Sequence, residues 1–292
     1  MFKAIDSPYL VPIDGSFKYK KAPTSIDPSK LDDNLYKKKL NKLSEKIYDL
    51  QRIMYAHDRY SLLLIFQAID AAGKDSTIRH VLTGVNPAGC QVFSFKKPSS
   101  LDLDHDFLWR TSRCLPERGR IGVFNRSYYE EVLVAKVHPE ILKAQQLPEE
   151  HKHDEIWQQR YQSIVNHELH LAQNGTIILK FWLNLSKEEQ RQRFLSRIEE
   201  PEKNWKFSEA DVNEREYWDD YMNAYEKALQ ETSKSWAPWY AIPADNKPYM
   251  RYTVAKIIVK TMESMKMYYP PLDPEIEQRL AGIKKRLLED KF

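Results

Sequence analysis

Asp70-Ala71-Ala72-Gly73-Lys74 is the stretch of this chain whose residue types best suit chemistry. Small residues let backbone N–H groups converge on an anion, a following helix N-terminus favours negative charge, and a lysine reaches terminal phosphates. The stretch departs from the usual G-x-x-x-x-G-K-[ST] phosphate loop at two positions. Ala68 stands where the first glycine belongs, and Asp75 stands where the metal-binding hydroxyl residue belongs. Asp70 puts a carboxylate inside the loop. Beside phosphates an extra anion is unfavourable unless it holds a cation, so Asp70 suits a Mg²⁺ ligand or a base. The same residues would also serve a plain β-turn-α connection, with Gly73 closing the turn and Lys74 solvated.

The elements that must hold this loop are legible on either side of it. Leu62 to Phe66 form a continuous apolar run, the pattern of a strand buried on both faces. Helical spacing begins after the loop with Ile78, Val81 and Leu82. A second strand is predicted over Gln91 to Lys96 and a third over Arg120 to Asn125. Directly after the third comes Arg126-Ser127-Tyr128-Tyr129-Glu130-Glu131, and the carboxyl ends of parallel strands are where doubly wound sheets bind ligands. Leu101 to Cys114 reads as one helix with Asp102, Asp104 and Asp106 near its N-terminus, where the dipole favours anions; a metal site is the sharper alternative. Lys96, Lys97, Arg110 and Arg113 flank or lie in that helix and face phosphates or solvent.

A long helix is predicted over Asp154 to Gln173, stopped by Asn174-Gly175. His167 and His170 lie one turn apart in it with no third ligand at a suitable spacing, and His151 and His153 flank a lysine. All four read as structural or surface residues. Thr176 to Leu185 is an apolar strand, after which Ser186 caps a helix through Glu199, with Glu189 completing a capping box. Arg193 and Arg197 share a face of that helix and Arg191 lies nearby. Its mixed charge fits a phosphate lid or a solvated surface. Asp211 to Ser233 reads as one helix whose Tyr217, Tyr221 and Tyr225 stripe, with Trp218 beside it, is core sooner than a base-stacking platform. A strand over Trp239 to Ile242, a helix over Tyr249 to Met265 and a last helix opened by Asp273-Pro274 complete the chain.

A net charge of +3 from 45 basic and 42 acidic residues demands no nucleic-acid partner. Cys90 and Cys114 form neither a disulfide framework nor a metal spacing, so reduced thiols are expected. MFKAIDSPYLVPIDG lacks a basic segment followed by an apolar core, and no run of about 18 apolar residues occurs. A cytoplasmic location without membrane contact is therefore expected. The apolar positions Tyr36, Leu40, Leu43, Ile47, Leu50 and Met54 describe an amphipathic helix over Leu31 to His57, suited to a coiled-coil partner or to the parent domain. Alternating strands and helices give an α/β fold, a parallel sheet flanked by helices. Residues 1–58 form an arm and helical extension; residues 59–292 form one catalytic domain, with a lid over about 187–215 and a C-terminal helix.

With these segments in place, the chain resembles the family 2 polyphosphate kinases. The resemblance is carried by Asp70-Ala71-Ala72-Gly73-Lys74, by Gly122-Val123-Phe124-Asn125-Arg126-Ser127-Tyr128-Tyr129-Glu130, and by Arg193-Phe194 through Lys206-Phe207, in that order. It implies a P-loop kinase fold akin to thymidylate kinase with a helical lid. The implied reaction is reversible phosphoryl transfer between inorganic polyphosphate and a nucleotide, with Mg²⁺ or Mn²⁺ as its substitute. Asp70 and Lys74 would then be essential loop residues. Ala71, Ala72, Gly73, Lys74, Asp75 and Ser76, with Arg191, Arg193 and Arg197 of the lid, would bind phosphates. Asp70, Asn125 and Glu130 would hold the metal, Arg126 would clamp the acceptor phosphate, and Ser127, Lys97 and Arg110 would bind the nucleotide with it. Partners would be polyphosphate, AMP, ADP, ATP and further copies of the chain, as a dimer or tetramer. Many members carry Asp in a Phe-Asp-Arg-Ser string where this chain has Asn125. The Asn form is similar to the class III branch, which phosphorylates nucleoside mono- and diphosphates in succession. Two rivals remain at this stage: an ATP-dependent nucleotide or small-metabolite kinase on the same fold, and a non-catalytic polyanion-binding protein.

Overall fold

A computed structural model describes residues 1–148 and 153–289. Five strands form one parallel sheet: β1 (Ser61–Gln67), β2 (Cys90–Ser94), β3 (Ile121–Asn125), β4 (Thr176–Asn184) and β5 (Trp239–Pro243), in the order β2-β3-β1-β4-β5. In chain order the helices are α1 (Asp33–His57), α2 (Lys74–Val81), α3 (Ser100–Leu103), α4 (Trp109–Ser112), α5 (Val134–Val137) and α6 (Pro139–Lys143). They continue with α7 (His153–Gln173), α8 (Lys187–Glu199), α9 (Glu209–Asn213), α10 (Trp218–Thr232), α11 (Lys247–Ser264) and α12 (Pro274–Leu288).

The apolar run of β1 is buried along its whole length because alternate residues enter two different cores. Leu62, Leu64 and Phe66 pack with α1, α2 and α11 on one face, while Leu63 and Ile65 pack with α7 and α10 on the other. Each such side chain, once buried, stabilises the sheet by about 1.5–3 kcal/mol. The stripe of α1 answers to the parent domain, since Leu40, Ile47 and Met54 belong to the first of these cores. The N-terminal arm runs antiparallel along β5. Val11 N donates to Trp239 O at 2.9 Å and Ala241 N donates to Tyr9 O at 2.8 Å, which covers an otherwise open sheet edge.

Two predicted helices are broken. Over 101–114 the chain forms α3 and α4 with a turn between them, because local side chains supply caps. Ser99 and Asp102 make a reciprocal capping box, and Asp106 Oδ1 accepts from Leu108 N at 2.9 Å. Over 211–233 a 3₁₀ turn, Glu214–Tyr217, separates α9 from α10. Ser186 caps α8 as expected, but Glu189 turns to Arg193 and does not close a capping box. His151 lies outside the described residues. Among the described residues no helix is long and apolar enough to cross a membrane.

Candidate active site

Phe66 and Asn125 are register partners in β1 and β3, so the loop after Gln67 and the turn after Asn125 emerge side by side from neighbouring strands. The loop is shaped by two left-handed residues, Ala71 at φ 62° and Gly73 at φ 99°. Gly73 gives α2 no side-chain cap, which leaves the first amides of the helix without a side-chain partner from that position. Added bulk at Gly73 would meet Ser76 Oγ at 3.3 Å and Met250 Cε at 3.6 Å, besides straining the backbone.

Lys74 is buried, and its Nζ donates to Ala68 O at 2.7 Å, curling back over the loop. Burial, reinforced by the nearby Arg126 charge, lowers its ammonium to a pKa of about 8 against the opposing pull of Asp70, Glu130 and Asp75. Arg126 occupies the left-handed region at φ 65°, a conformation that costs a non-glycine residue roughly 1–2 kcal/mol. That geometry lets one guanidinium reach both Asp70, at 2.8 Å, and Glu130, at 3.2 Å. Glu130, then Asp70, holds the Arg126 charge more firmly than usual over the opposing effect of burial. Gln67 Nε2 fixes the other oxygen of Glu130 at 2.8 Å.

Asp70, Arg126 and Glu130 line a cleft of about 470 Å³ that is open to solvent, with Ala68 and Ile69 beside them below and Gln190, Arg215, Trp218, Tyr221 and Tyr225 above. Sequence reasoning missed the upper wall. Gln190 Nε2 donates to Asp70 O at 3.0 Å, and Arg215 Nη1 donates to Gln190 Oε1 at 2.7 Å, tying the lid to the loop. The aromatic stripe read as core does bury Tyr225, yet Trp218 and Tyr221 present surface to the cleft. Gln67, a fully buried polar residue ending an apolar strand, was the available signal for Glu130's partner.

The structure does not bring all the predicted site residues together. Arg193 points behind the loop, with Nε on Glu189, Nη1 on the carbonyls of Ala71 and Ala72, and Nη2 on those of Ala244 and Asp245. All of its N–H groups are spent there, so it buttresses the loop and has none to offer a phosphate. Arg191 is exposed and paired along α8 with Glu188 at 2.6 Å. Arg197 reaches Asp211 at 3.2 Å and the carbonyl of Lys206, joining α8 to the lid's far end. Ser127 is fully buried, and its Oγ accepts from Tyr129 N as a turn cap, which removes it from nucleotide contact. Arg110 is held by Lys96 O at 2.8 Å and lies near Glu131, facing a second, smaller hollow; Lys97 is exposed and lines neither. Asn125 does not join Asp70 and Glu130: its amide donates to Asp75 Oδ1 at 2.6 Å and to Ser94 Oγ at 3.3 Å.

The oxygen donors present fit a hard cation. Asp70, Glu130 and Asp75 are carboxylates near the loop mouth, and the Asn125 side-chain amide lies beside Asp75. No three His, Cys, Asp or Glu side chains gather into a cage among the described residues, which suits an ion held by one or two carboxylates together with substrate oxygens.

Residues 30–270 match the family model described as Polyphosphate kinase 2 (PPK2). An ADP-polyphosphate phosphotransferase of Rhodopseudomonas palustris is 58% identical over 270 residues, spanning 92% of this chain and 93% of that protein. An AMP/ADP-polyphosphate phosphotransferase of Meiothermus ruber is 45% identical over 228 residues, spanning 78% and 81%. Among solved structures, that of polyphosphate kinase 2 from Arthrobacter aurescens TC1 is similar with a TM-score of 0.82 at 32% identity, covering 96% of this chain and 99% of that one.

Proposed function

The chain belongs to the polyphosphate kinase 2 family, and we propose that it transfers phosphoryl groups reversibly from inorganic polyphosphate to AMP and ADP, forming ADP and ATP. An oxygen of the acceptor's terminal phosphate attacks the end phosphorus of the polymer. The bridging P–O bond breaks, and the polymer leaves one phosphate shorter. The observation that carries this reading is the bridge made by Arg126 between Asp70 of the phosphate loop and Glu130 of the turn after β3. It joins a donor-side loop and an acceptor-side cation across one cleft, and phosphoryl transfer needs alignment and charge more than covalent help.

In this reading the amides of Ala71 to Asp75 cradle the transferred phosphoryl and Lys74 neutralises its oxygens. Arg126 exchanges a carboxylate for the acceptor phosphate. Asp70 and Glu130, with Asp75 and the Asn125 carbonyl close by, would hold Mg²⁺ or Mn²⁺, which when bound supplies positive charge to the phosphate oxygens. Use of ADP is supported by the names of both relatives; use of AMP is supported by the second name and by Asn125 in place of Asp. Free Cys90 and Cys114 support a cytoplasmic enzyme. The exposed stripe Ile276, Leu280, Ile283 and Leu287 on α12 supports assembly into a dimer or tetramer.

The test is incubation of purified protein with Mg²⁺, polyphosphate and AMP, followed by separation of AMP, ADP and ATP. Sequential appearance of ADP and then ATP is expected. Turnover only when ATP replaces polyphosphate as donor would favour the ATP-dependent rival, and binding without turnover would favour a polyanion-binding protein.

A further inference from the structure

Beneath the turn that carries Arg126 lies a polar network that the reaction itself does not use. Glu168 of α7 and Lys180 of β4 are both fully buried and 2.5 Å apart. Lys180 Nζ also donates to Thr232 O at 2.8 Å and to Tyr129 Oη at 3.0 Å. Glu168 Oε1 accepts from the hydroxyls of Tyr128 and Tyr129, each at 2.9 Å. Those two tyrosines stand between Arg126 and Glu130 in the chain.

A buried ion pair is weak evidence of a stabilising role, because apolar replacements of similar volume are often neutral or better. What distinguishes this pair is where its spare hydrogen-bonding capacity goes. Beyond Lys180, Glu168 accepts from the two tyrosine hydroxyls, and both belong to the Arg126 turn. A left-handed, non-glycine residue such as Arg126 persists only where its surroundings over-determine it. From the β1 side the turn is tied by Arg126 N to Phe66 O at 3.0 Å. From the α7 and β4 side it is tied by Tyr128 and Tyr129. The donor-side loop has its own supports in Arg193 and Gln190, and the turn meets it through the Arg126–Asp70 contact and not through the tyrosine hydroxyls.

We infer that the Glu168–Lys180 pair, acting through the hydroxyls of Tyr128 and Tyr129, positions Arg126 for the acceptor phosphate while leaving the donor side to Arg193. This rests on the proposed reading of Arg126 as the acceptor clamp. All four are positioning residues, since none of them meets the cleft.

The test is the Tyr128→Phe/Tyr129→Phe variant of the full chain, which removes two hydroxyls and no apolar surface. Three quantities are compared with wild type: KM for AMP at saturating polyphosphate, KM for polyphosphate at saturating AMP, and the melting temperature. The AMP KM is expected to rise on the order of 10-fold, as a small misplacement of a clamp does, with the polyphosphate KM unchanged. A lower melting temperature with both KM values and kcat at wild-type levels would overturn the inference and leave a purely structural network. So would an equal rise in both KM values. If the double variant does not fold, Tyr128→Phe alone keeps the Lys180 contacts to Glu168 and Tyr129 and is read by the same three quantities. A wild type that binds AMP in calorimetry but shows no transfer from polyphosphate would sink the functional reading only; weakened AMP binding in the variants would then still support the positioning role. A wild type that neither reacts with AMP nor binds it overturns both.

Discussion

Arg126 Nη2 lies 2.8 Å from Asp70 Oδ1, and the same guanidinium lies 3.2 Å from Glu130 Oε2. One fixed cation thus neutralises the two carboxylates that a Mg²⁺ ion would need. In the proposed reading Arg126 would release these carboxylates to a metal and take the acceptor phosphate; in the structure it keeps the two carboxylates from facing each other unpaired. With the Arg126 side chain 37% exposed, solvent screens these contacts, and each is worth on the order of 1 kcal/mol.

Asp70→Asn keeps the shape of the side chain and removes its charge. Turnover is expected to fall on the order of 10²-fold or more, the usual loss for a preorganised charge at a reacting centre. Mg²⁺ is expected to raise the melting temperature of wild type, and that rise should shrink in the same variant. Near wild-type turnover with unchanged Mg²⁺ dependence would take Asp70 out of the centre.

Lys74 gives a pH signature. Burial lowers its pKa from the ordinary 10.5 to about 8 in the folded chain, so the unfolded chain binds more protons between those values. Its contribution to stability therefore rises with pH across that window. Activity should move the other way. The protonated form is the one that neutralises phosphate, so kcat/KM is expected to fall as pH rises through about 8. Lys74→Ala should lose most activity with the fold intact and abolish that limb of the profile in whatever activity is left.

Much of this arrangement could be read from the sequence, because its signals were local. The apolar run of β1, the Gly73-Lys74 pair, and charged residues directly after Asn125 each announce themselves within a few positions. The roles of Arg193 and Ser127 could not be read, since each depends on where a side chain turns after folding. Arg193 looked like a lid cation, yet it meets carbonyls of Ala71 and Ala72 some 120 residues away. Lys180 was visible as a lone charge in an apolar strand, but nothing nearby in sequence named Glu168 or the tyrosines as its partners. The Tyr221 stripe misled because the same helix faces both the core and the cleft.

Arg193 and Arg197 should now separate. Arg193→Ala strips hydrogen bonds from four carbonyls and Glu189, and is expected to cost on the order of 3 kcal/mol of stability. Its activity loss should be equal with long polyphosphate and with a short oligophosphate, because it acts through the loop. Arg197→Ala should change stability little and impair long donors more, since Arg197 sits further along the lid beside Asp211. Equal losses for Arg197 on both donors would assign it to the transferred phosphoryl; no loss on either would make it a surface residue.

Asn125→Asp tests the contact between the end of β3 and the first turn of α2. Asn125 Nδ2 donates to Asp75 Oδ1 at 2.6 Å, so the substitution replaces a hydrogen bond by two facing carboxylates. Two unit charges about 4 Å apart repel by roughly 4 kcal/mol at a dielectric near 20, and this pair is closer. Lys74 and Arg126 offset part of that cost, and a cation between the carboxylates would offset more. The variant is expected to melt several degrees below wild type without Mg²⁺, and the gap should narrow as Mg²⁺ is added. Activity should persist, with a steeper dependence on Mg²⁺ and an altered ratio of AMP to ADP use, because in the proposed reading the new charge would lie beside the acceptor phosphate. Melting curves with and without Mg²⁺ test the pair directly, before any turnover is measured. A variant that melts with wild type at every Mg²⁺ concentration would show that Asn125 and Asp75 do not meet as described. One that shifts the melts but not the AMP-to-ADP ratio would place the pair on the metal side of the cleft alone, away from the acceptor.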